Sequence, residues 1–470
     1  MFTKIIVTIM SFVVMFSSFF GLNFIAPSDE AENTKNVIIM IGDGMGFNHL
    51  YATEYTHGVQ LQMLDRMEYY GAQQTASSSS PVTDSAAGGT ALATGGRTIN
   101  GYVGVYPTDP LGAIAVPASI TDVAMKYGKA TGILTSDSIM GATPSAFSAH
   151  VRNRDLAEDI FDQQVVSEID LIWGGAAPDI VTEQRVNENG KVFVDSLSDI
   201  QSLSYGEKSI GQFDTDAMWT GEDNGTGAPS LSELAVEAID ILSQDEDGFF
   251  MMIEGSQIDY ACHQNDPGAT LHEALDFNDA FKLVYDFYLR HKDETLIVIT
   301  ADHETGGLSI GQESKGYTFY PDLLDYQKIS GDKFKEILKG IKNDDKQFSE
   351  EDLYALLNEY FGFNNEDERM ALNKQDSLRI EYYYLKYFKP QRLAKQGDKL
   401  KTEIFKTDVV TVYDIAGLAL KIMSEKVGIG WTTTSHNGCA VPVRAIGVWQ
   451  EKFGGCYDNT DIPKKIYGDM

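Results

Sequence analysis

Five apolar runs in this chain stop abruptly at glycine or at a polar residue, and that punctuation constrains the fold more than any other feature. Asn36-Val-Ile-Ile-Met-Ile41 ends in Gly42-Asp43-Gly44-Met45-Gly46. Ala130 to Leu134 leads into Thr135-Ser136-Asp137, and Ile169 to Trp173 ends in Gly174-Gly175. Phe249 to Ile253 ends in Glu254-Gly255, and Thr295 to Thr300 ends in Ala301-Asp302-His303. Runs that are apolar throughout, rather than alternating, suit strands buried on both faces. Helical patterns separate them. Ser230-Leu-Ser-Glu233 is a capping box before an apolar helix to about Leu242, and Ala274, Phe277, Phe281, Val284, Tyr285 and Tyr288 follow helical spacing. The expected fold is α/β: a three-layer sandwich with a central, mainly parallel sheet flanked by helices. Ligands of such sheets bind beyond the carboxyl ends of the strands. Asp43, Glu254, Asp302 and His303 all stand at such ends, which predicts one shared site.

The stretch from about Leu308 to Gly430 breaks the pattern. It is charged, helical in spacing and tyrosine-rich, and Ser349 to Phe361 reads as a capped helix. It is expected to form an inserted helical cap. The length of 470 residues would allow about three domains. Large α/β enzymes often keep one sheet at this length, so length leaves the count open.

The first 26 residues have a different character. Lys4 precedes an apolar stretch from Ile5 to Ala26. This reads as a secretory signal, and its length leaves an uncleaved membrane anchor as the rival. Periplasmic or extracellular placement is expected. The three cysteines form no C-x-x-C pair, which argues against a zinc knuckle. In an oxidising compartment Cys439 and Cys456 are the pair to consider for a disulfide.

Charge narrows the partners. Lys+Arg 37 against Asp+Glu 69 gives a net −32. So acidic a chain is a poor nucleic-acid binder, and an anionic substrate would need a local cation.

Three segments carry chemistry. Asp259 and His263 are four apart and share a face if the segment is helical; two ligands so placed can hold one ion, although a solvated face explains an isolated D-x-x-x-H more often. Asp302-His303 follows a strand and can converge on an ion at a turn; an N-cap Asp beside a surface His is the common alternative. In Asp84-Ser85-Ala-Ala-Gly88-Gly89, a serine opens a small-residue helix whose N-terminus would favour phosphate, with N-capping as the simpler role. Neither a G-x-S-x-G elbow nor a P-loop occurs.

Taken in order, Asp43, Asp84-Ser85-Ala86, Gly141-Ala-Thr143-Pro144, Arg154, Glu254 to His263, Asp302-His303 and His436 resemble the motifs of alkaline phosphatases, over about Asn36 to Ile446. The resemblance implies a phosphomonoesterase with two zinc ions, one magnesium ion and a serine nucleophile, acting on small phosphate monoesters as a homodimer. It implies one catalytic domain over residues 27–470, with the cap at about 308–430. It implies Asp259, His263 and His436 for the first zinc, and Asp43, Asp302 and His303 for the second. It implies Asp43, Thr143 and Glu254 for magnesium, Ser85 as nucleophile, Arg154 as phosphate clamp and Asp84 as the group orienting that arginine. Imidazole and carboxylate suit zinc, and carboxylate and hydroxyl oxygens suit magnesium. The rival within the superfamily is a phosphodiesterase or another esterase; a sulfatase lacks its C/S-x-P-x-R context here.

Two departures stand out. Gly141 occupies a position where relatives carry Asp or His, so the magnesium shell is short of one supporting side chain. Tyr260 follows Asp259 at a variable position, where it tunes phosphate affinity or simply packs. Cys262 reads as a buried, inert thiol. His49, His57, His150, His272 and His291 read as structural or exposed, Arg152 as a surface residue, and Tyr382 to Tyr384 as packing under the cap.

Overall fold

The computed structural model describes residues 34–468 apart from 110–112, 176–178, 214–227, 345–346 and 396–413. The signal and anchor readings of the N-terminal stretch fall outside the described residues. Ten strands make one sheet: β1 (Asn36–Gly42), β2 (Tyr69–Gln74), β3 (Ala130–Ser138), β4 (Leu171–Gly175), β5 (Val192–Val194), β6 (Ser209–Gln212), β7 (Phe249–Gly255), β8 (Thr295–Thr300), β9 (Val441–Gly447) and β10 (Gly455–Asp458). Their spatial order is β10-β2-β9-β8-β1-β7-β3-β4-β6-β5. Only β9 runs against its neighbours. The sheet is therefore mainly parallel, as the unbroken apolar runs require.

Alternate residues of the central strands enter two separate cores. Ile38 and Met40 of β1, Met251 and Ile253 of β7, and Ile297 and Ile299 of β8 face one layer of helices. Val37, Ile39, Ile41, Phe250, Met252, Leu296 and Val298 face the other. This division is the three-layer sandwich, with both faces of the sheet covered. Full burial of each such side chain contributes about 1.5–3 kcal/mol, so the central strands are the most firmly held part of the molecule.

Register then fixes the site. Ile41 pairs with Glu254 of β7 and with Thr300 of β8, and Thr135 of β3 pairs with Glu254. The carboxyl ends of four adjacent strands are thus level, and Asp43, Asp302 and His303 emerge beside Glu254 at one edge.

The capping box expected at Ser230 is present, and the capped helix expected from Ser349 also opens with one; the helices are Leu231–Leu242 and Glu350–Phe361. Between residues 308 and 430, helices Gly331–Asp344, Glu350–Phe361, Lys374–Phe388 and Ile415–Val427 contribute to a third apolar core, which includes Phe334, Leu353, Phe361 and Met423. Tyr382, Tyr383 and Tyr384 are buried in it, which agrees with a packing role.

Several strands lay beyond the sequence signal. β2 is half-exposed and polar, and β9 carries Pro442 and Arg444. The Arg444 guanidinium lies 4.0 Å from the centroid of the Tyr70 ring on β2. The disulfide considered for Cys439 and Cys456 does not form: both are exposed free thiols and Cys262 is a buried one. β9 and β10 flank β2 on opposite sides, which keeps the two segments two strand spacings apart, about 9–10 Å.

Candidate active site

Each candidate residue is placed by a local rule. Gly44 follows β1 with φ +71°, and an added Cβ there would lie 2.8 Å from Asp259 Oδ1 and 2.9 Å from Thr305 Oγ1. Only glycine gives both the left-handed backbone and the room. Asp84 caps helix Ser85–Thr94 by accepting from the Ala87 amide at 3.0 Å. The same helix is packed without side chains in the way: a Cβ on Gly88 would come within 2.9 Å of the Asp302 carbonyl, and one on Gly89 within 3.1 Å of Thr143 Cα. The small residues let this helix N-terminus lie against the strand ends. Asp259 and His263 share helix Gln257–His263. His436 arrives on a two-residue ribbon, His436–Asn437, that pairs with Glu304–Thr305 directly after His303.

Two triads result. Ligand atoms of Asp259, His263 and His436 all lie within 4.8 Å of one another, and so do those of Asp43, Asp302 and His303. The rings of His303 and His436 stack with centroids 3.5 Å apart, so the triads abut. Ser85 Oγ lies 3.2 Å from His303 Nε2. Asp43, Ser85, Glu254, Asp259, Asp302 and His303 are all buried. Glu254 accepts a short hydrogen bond from Thr135 and lies beside Thr143, whose hydroxyl has no partner of good geometry. At the rim, Arg154 Nη1 donates to Asp84 Oδ2 at 3.3 Å, and Asp84 Oδ2 also accepts from the Gly101 amide at 2.9 Å. Asp84 therefore both caps the helix and orients the guanidinium. Every site residue named from the sequence comes to this one locality. Arg152 is exposed, and Cys262 points into the apolar core.

The hydrogen bonds assign the histidine tautomers. His263 Nδ1 meets the Thr434 carbonyl at 2.8 Å, and His436 Nδ1 meets the Thr83 carbonyl at 2.9 Å. A carbonyl only accepts, so both Nδ1 atoms carry the proton, and in the neutral imidazoles both Nε2 atoms present lone pairs. Those two Nε2 atoms face each other at 3.1 Å, next to the Asp259 carboxylate. The Thr305 hydroxyl donates to Asp259 Oδ1, so it must accept from His303 Nδ1 at 3.2 Å. His303 Nε2 then also presents a lone pair, 3.1 Å from Asp302 Oδ2 and 3.5 Å from Asp43 Oδ1. Neither of those carboxylate oxygens has a hydrogen-bond partner.

Lone pairs gathered on lone pairs in a buried site are unfavourable unless a cation lies between them. The donor sets, two imidazoles with one carboxylate and two carboxylates with one imidazole, fit divalent transition-metal ions. The all-oxygen set of Asp43, Thr143 and Glu254 fits a harder ion. The electrostatics agree. Burial, then the charges of Asp302, Asp259 and Glu254, push the Asp43 carboxyl well above the usual range. Burial pushes Glu254 up to about 8, opposed by the Thr135 hydrogen bond and reinforced by Asp137 and Asp302. Burial also acts against Asp259, but the His263 ring, with Nε2 3.2 Å from its Oδ2, and the neighbouring His303 and His436 imidazoles hold it low.

Two supports had little sequence signal. Thr305 links Asp259 to His303, and the carbonyls of Thr83 and Thr434 set the tautomers; only the two-residue offset of Thr305 from His303 hinted at either. His49, read as structural, is buried, and burial lowers it to about 4.

Gly44→Ala tests the local packing. The change is expected to cost more than about 1 kcal/mol, because φ is positive and the new methyl strikes Asp259 and Thr305. Thermal unfolding should show a lowered Tm together with a loss of activity; an unchanged Tm would mean the contact is slack.

Comparisons with known proteins agree in kind. The family model described as alkaline phosphatase matches residues 34–190 and 179–468. Alkaline phosphatase 3 of Bacillus subtilis is 32% identical over 456 residues, covering 93% of this chain and 89% of its own length. The crystal structure of a cold-active alkaline phosphatase from a psychrophilic Shewanella superposes with a TM-score of 0.73 at 29% identity, covering 92% of this chain and 98% of its own. A variant of the alkaline phosphatase of the Antarctic bacterium TAB5, solved with magnesium in its M3 site, superposes with a TM-score of 0.60 at 25% identity, covering 93% of this chain and 97% of its own.

Proposed function

This chain belongs to the alkaline phosphatase family and is a phosphoric monoester hydrolase, and from that premise we propose that it cleaves phosphate monoesters through a phosphoserine on Ser85, at a site for two zinc ions and one magnesium ion. The observation that carries the reading is a pair of abutting triads, one of which reaches the Ser85 hydroxyl through His303. Asp259, His263 and His436 would hold one zinc, and Asp43, Asp302 and His303 the other. Asp43, Thr143 and Glu254 would hold magnesium, with Asp43 shared. When bound, the ions supply positive charge and Lewis acidity where negative charge develops on the attacking and leaving oxygens.

The chain's own groups do the rest. Ser85 Oγ attacks phosphorus in line, and the ester oxygen departs with the alcohol. Water then attacks the phosphoserine from the opposite side and frees phosphate, so two inversions give net retention. Ser85 begins its helix, so the backbone amides of the first turn and the dipole favour the phosphoryl oxygens. Arg154, steered by Asp84, offers a planar fork to two of those oxygens, which an ammonium does not match.

A second reading has a specific observation behind it. Ser85, His303, Thr305 and Asp259 form a connected chain of hydrogen bonds, which could act as a metal-free relay. The unpartnered Asp43 and Asp302 oxygens favour the ions. Assaying p-nitrophenyl phosphate with and without a chelator separates the two, since only the metal reading expects loss on chelation. A p-nitrophenyl diester hydrolysed faster than the monoester would instead favour the phosphodiesterase alternative.

Arg154→Lys is expected to lower kcat/KM about 10- to 100-fold, chiefly through a raised KM, with zinc content unchanged. Unaltered KM in steady-state kinetics would remove Arg154 from the clamp. The family resemblance supports a homodimer, and the apolar N-terminal stretch supports export to the periplasm or beyond, with cleavage or anchoring decided by the mature N-terminus. We assign residues 27–470 to one catalytic domain, with the helical segment at about 308–430 as a cap over it.

A further inference from the structure

Asp137 is a carboxylate that the reaction just described leaves unused, and three observations tie it to the oxygen-rich end of the site. First, it lies two residues beyond Thr135, whose hydroxyl donates to Glu254, and the Asp137 amide donates back to that hydroxyl at 3.1 Å. Second, its Oδ2 lies 3.4 Å from where a Cβ on Gly141 would sit, and Gly141 immediately precedes helix Ala142–Ala146, which bears Thr143. The carboxylate therefore stands against the space that a side chain at position 141 would enter. Third, Tyr260, next to Asp259, donates its phenol to the same Oδ2 at 2.8 Å. The strand end is further clamped: the Ser256 amide donates to Ser136 Oγ at 3.0 Å, and Gln257 Nε2 donates to the Ser136 carbonyl at 3.1 Å.

We propose that Asp137, held in place by Tyr260, is a positioning residue for the cation gripped by Asp43, Thr143 and Glu254, supplying from the end of β3 the outer carboxylate that Gly141 lacks. The inference rests on the reading of that trio as a cation site. Outer groups of this kind change metal affinity about 10- to 100-fold when removed, by orienting ligands and adding negative charge. Asp137 lies in that range of action, since its charge reaches Glu254. Tyr260 joins this arrangement to the Asp259 triad, because the two residues are adjacent on one helix.

The test is magnesium binding to the zinc-loaded full chain, measured by equilibrium dialysis with elemental analysis. Asp137→Asn, which keeps the shape and removes the charge, is expected to raise the magnesium Kd about tenfold or more while zinc content stays unchanged. Tyr260→Phe is expected to raise it less. In the Asp137→Asn background, Tyr260→Phe should add little, because both act through one carboxylate. A magnesium Kd within about twofold of the parent in Asp137→Asn, or equal loss of zinc and magnesium, overturns the inference while leaving the cation site standing. A parent chain that binds no third ion overturns the site reading, and the inference with it.

Discussion

Replacing Ser85 by alanine is expected to lower kcat/KM for p-nitrophenyl phosphate at least about a thousandfold, the scale seen when a covalent nucleophile is removed. The physical argument is local. Ser85 is the residue from which a hydroxyl reaches His303 Nε2 at 3.2 Å. It also sits at the start of a helix whose first-turn amides suit phosphate. Alanine keeps the helix, because the cap is Asp84 rather than Ser85. It also leaves the carboxylates and imidazoles of both triads untouched. Zinc content and Tm should therefore match the parent, while labelled phosphate no longer becomes attached to the protein on acid quench. A variant that still accumulates covalent phosphate would take Ser85 out of the reaction.

Removing the ions is the second large effect. Chelation is expected to reduce turnover at least about a hundredfold and to make stability newly dependent on pH. Glu254 is pushed up to about 8 from an ordinary 4.5 by burial, and Asp43 is raised too. Each favours its protonated form in the folded chain. Their contribution is complete below the ordinary carboxylate range and is lost as pH rises through the raised value. His263 and His303, both raised above 6.5, act in the same direction, while His436 is lowered and opposes them. Asp259 and Asp302 are lowered, so their contribution disappears only under more acidic conditions. The metal-free chain should thus lose a few kcal/mol between about pH 5 and 8, at about 1.4 kcal/mol per unit of offset. Tm would fall by a few degrees over that window. Zinc and magnesium should restore both Tm and activity. A chelated chain whose Tm is level from pH 5 to 8 would show that the buried carboxylates do not carry this load.

How much of this could be read from residues alone follows a physical line. β1, β3, β7 and β8 announced themselves because burial on both faces demands unbroken apolar runs. The polar endings of β1, β7 and β8 marked the site because register makes the ends level. β2 and β9 did not, since a half-exposed polar strand and one carrying Pro442 and Arg444 have no such signature. Of the site, the ligand types were visible in their spacing, and the family resemblance assigned their partners. The supports were not visible: Thr305 depends on a tertiary meeting with Asp259, and Thr83 and Thr434 act through carbonyls that any residue type would supply. Asp137 carries no such signature, because its nearness to the space beside Gly141 exists only in three dimensions.

Diffraction at the zinc absorption edge from crystals of the metal-loaded chain tests the central claim most directly. Two strong anomalous peaks are expected in each chain, one among Asp259, His263 and His436 and the other among Asp43, Asp302 and His303. The Asp43, Thr143 and Glu254 trio should hold density without zinc anomalous signal. Empty triads in a crystal of active, zinc-loaded protein, or zinc bound at other residues, would contradict the account.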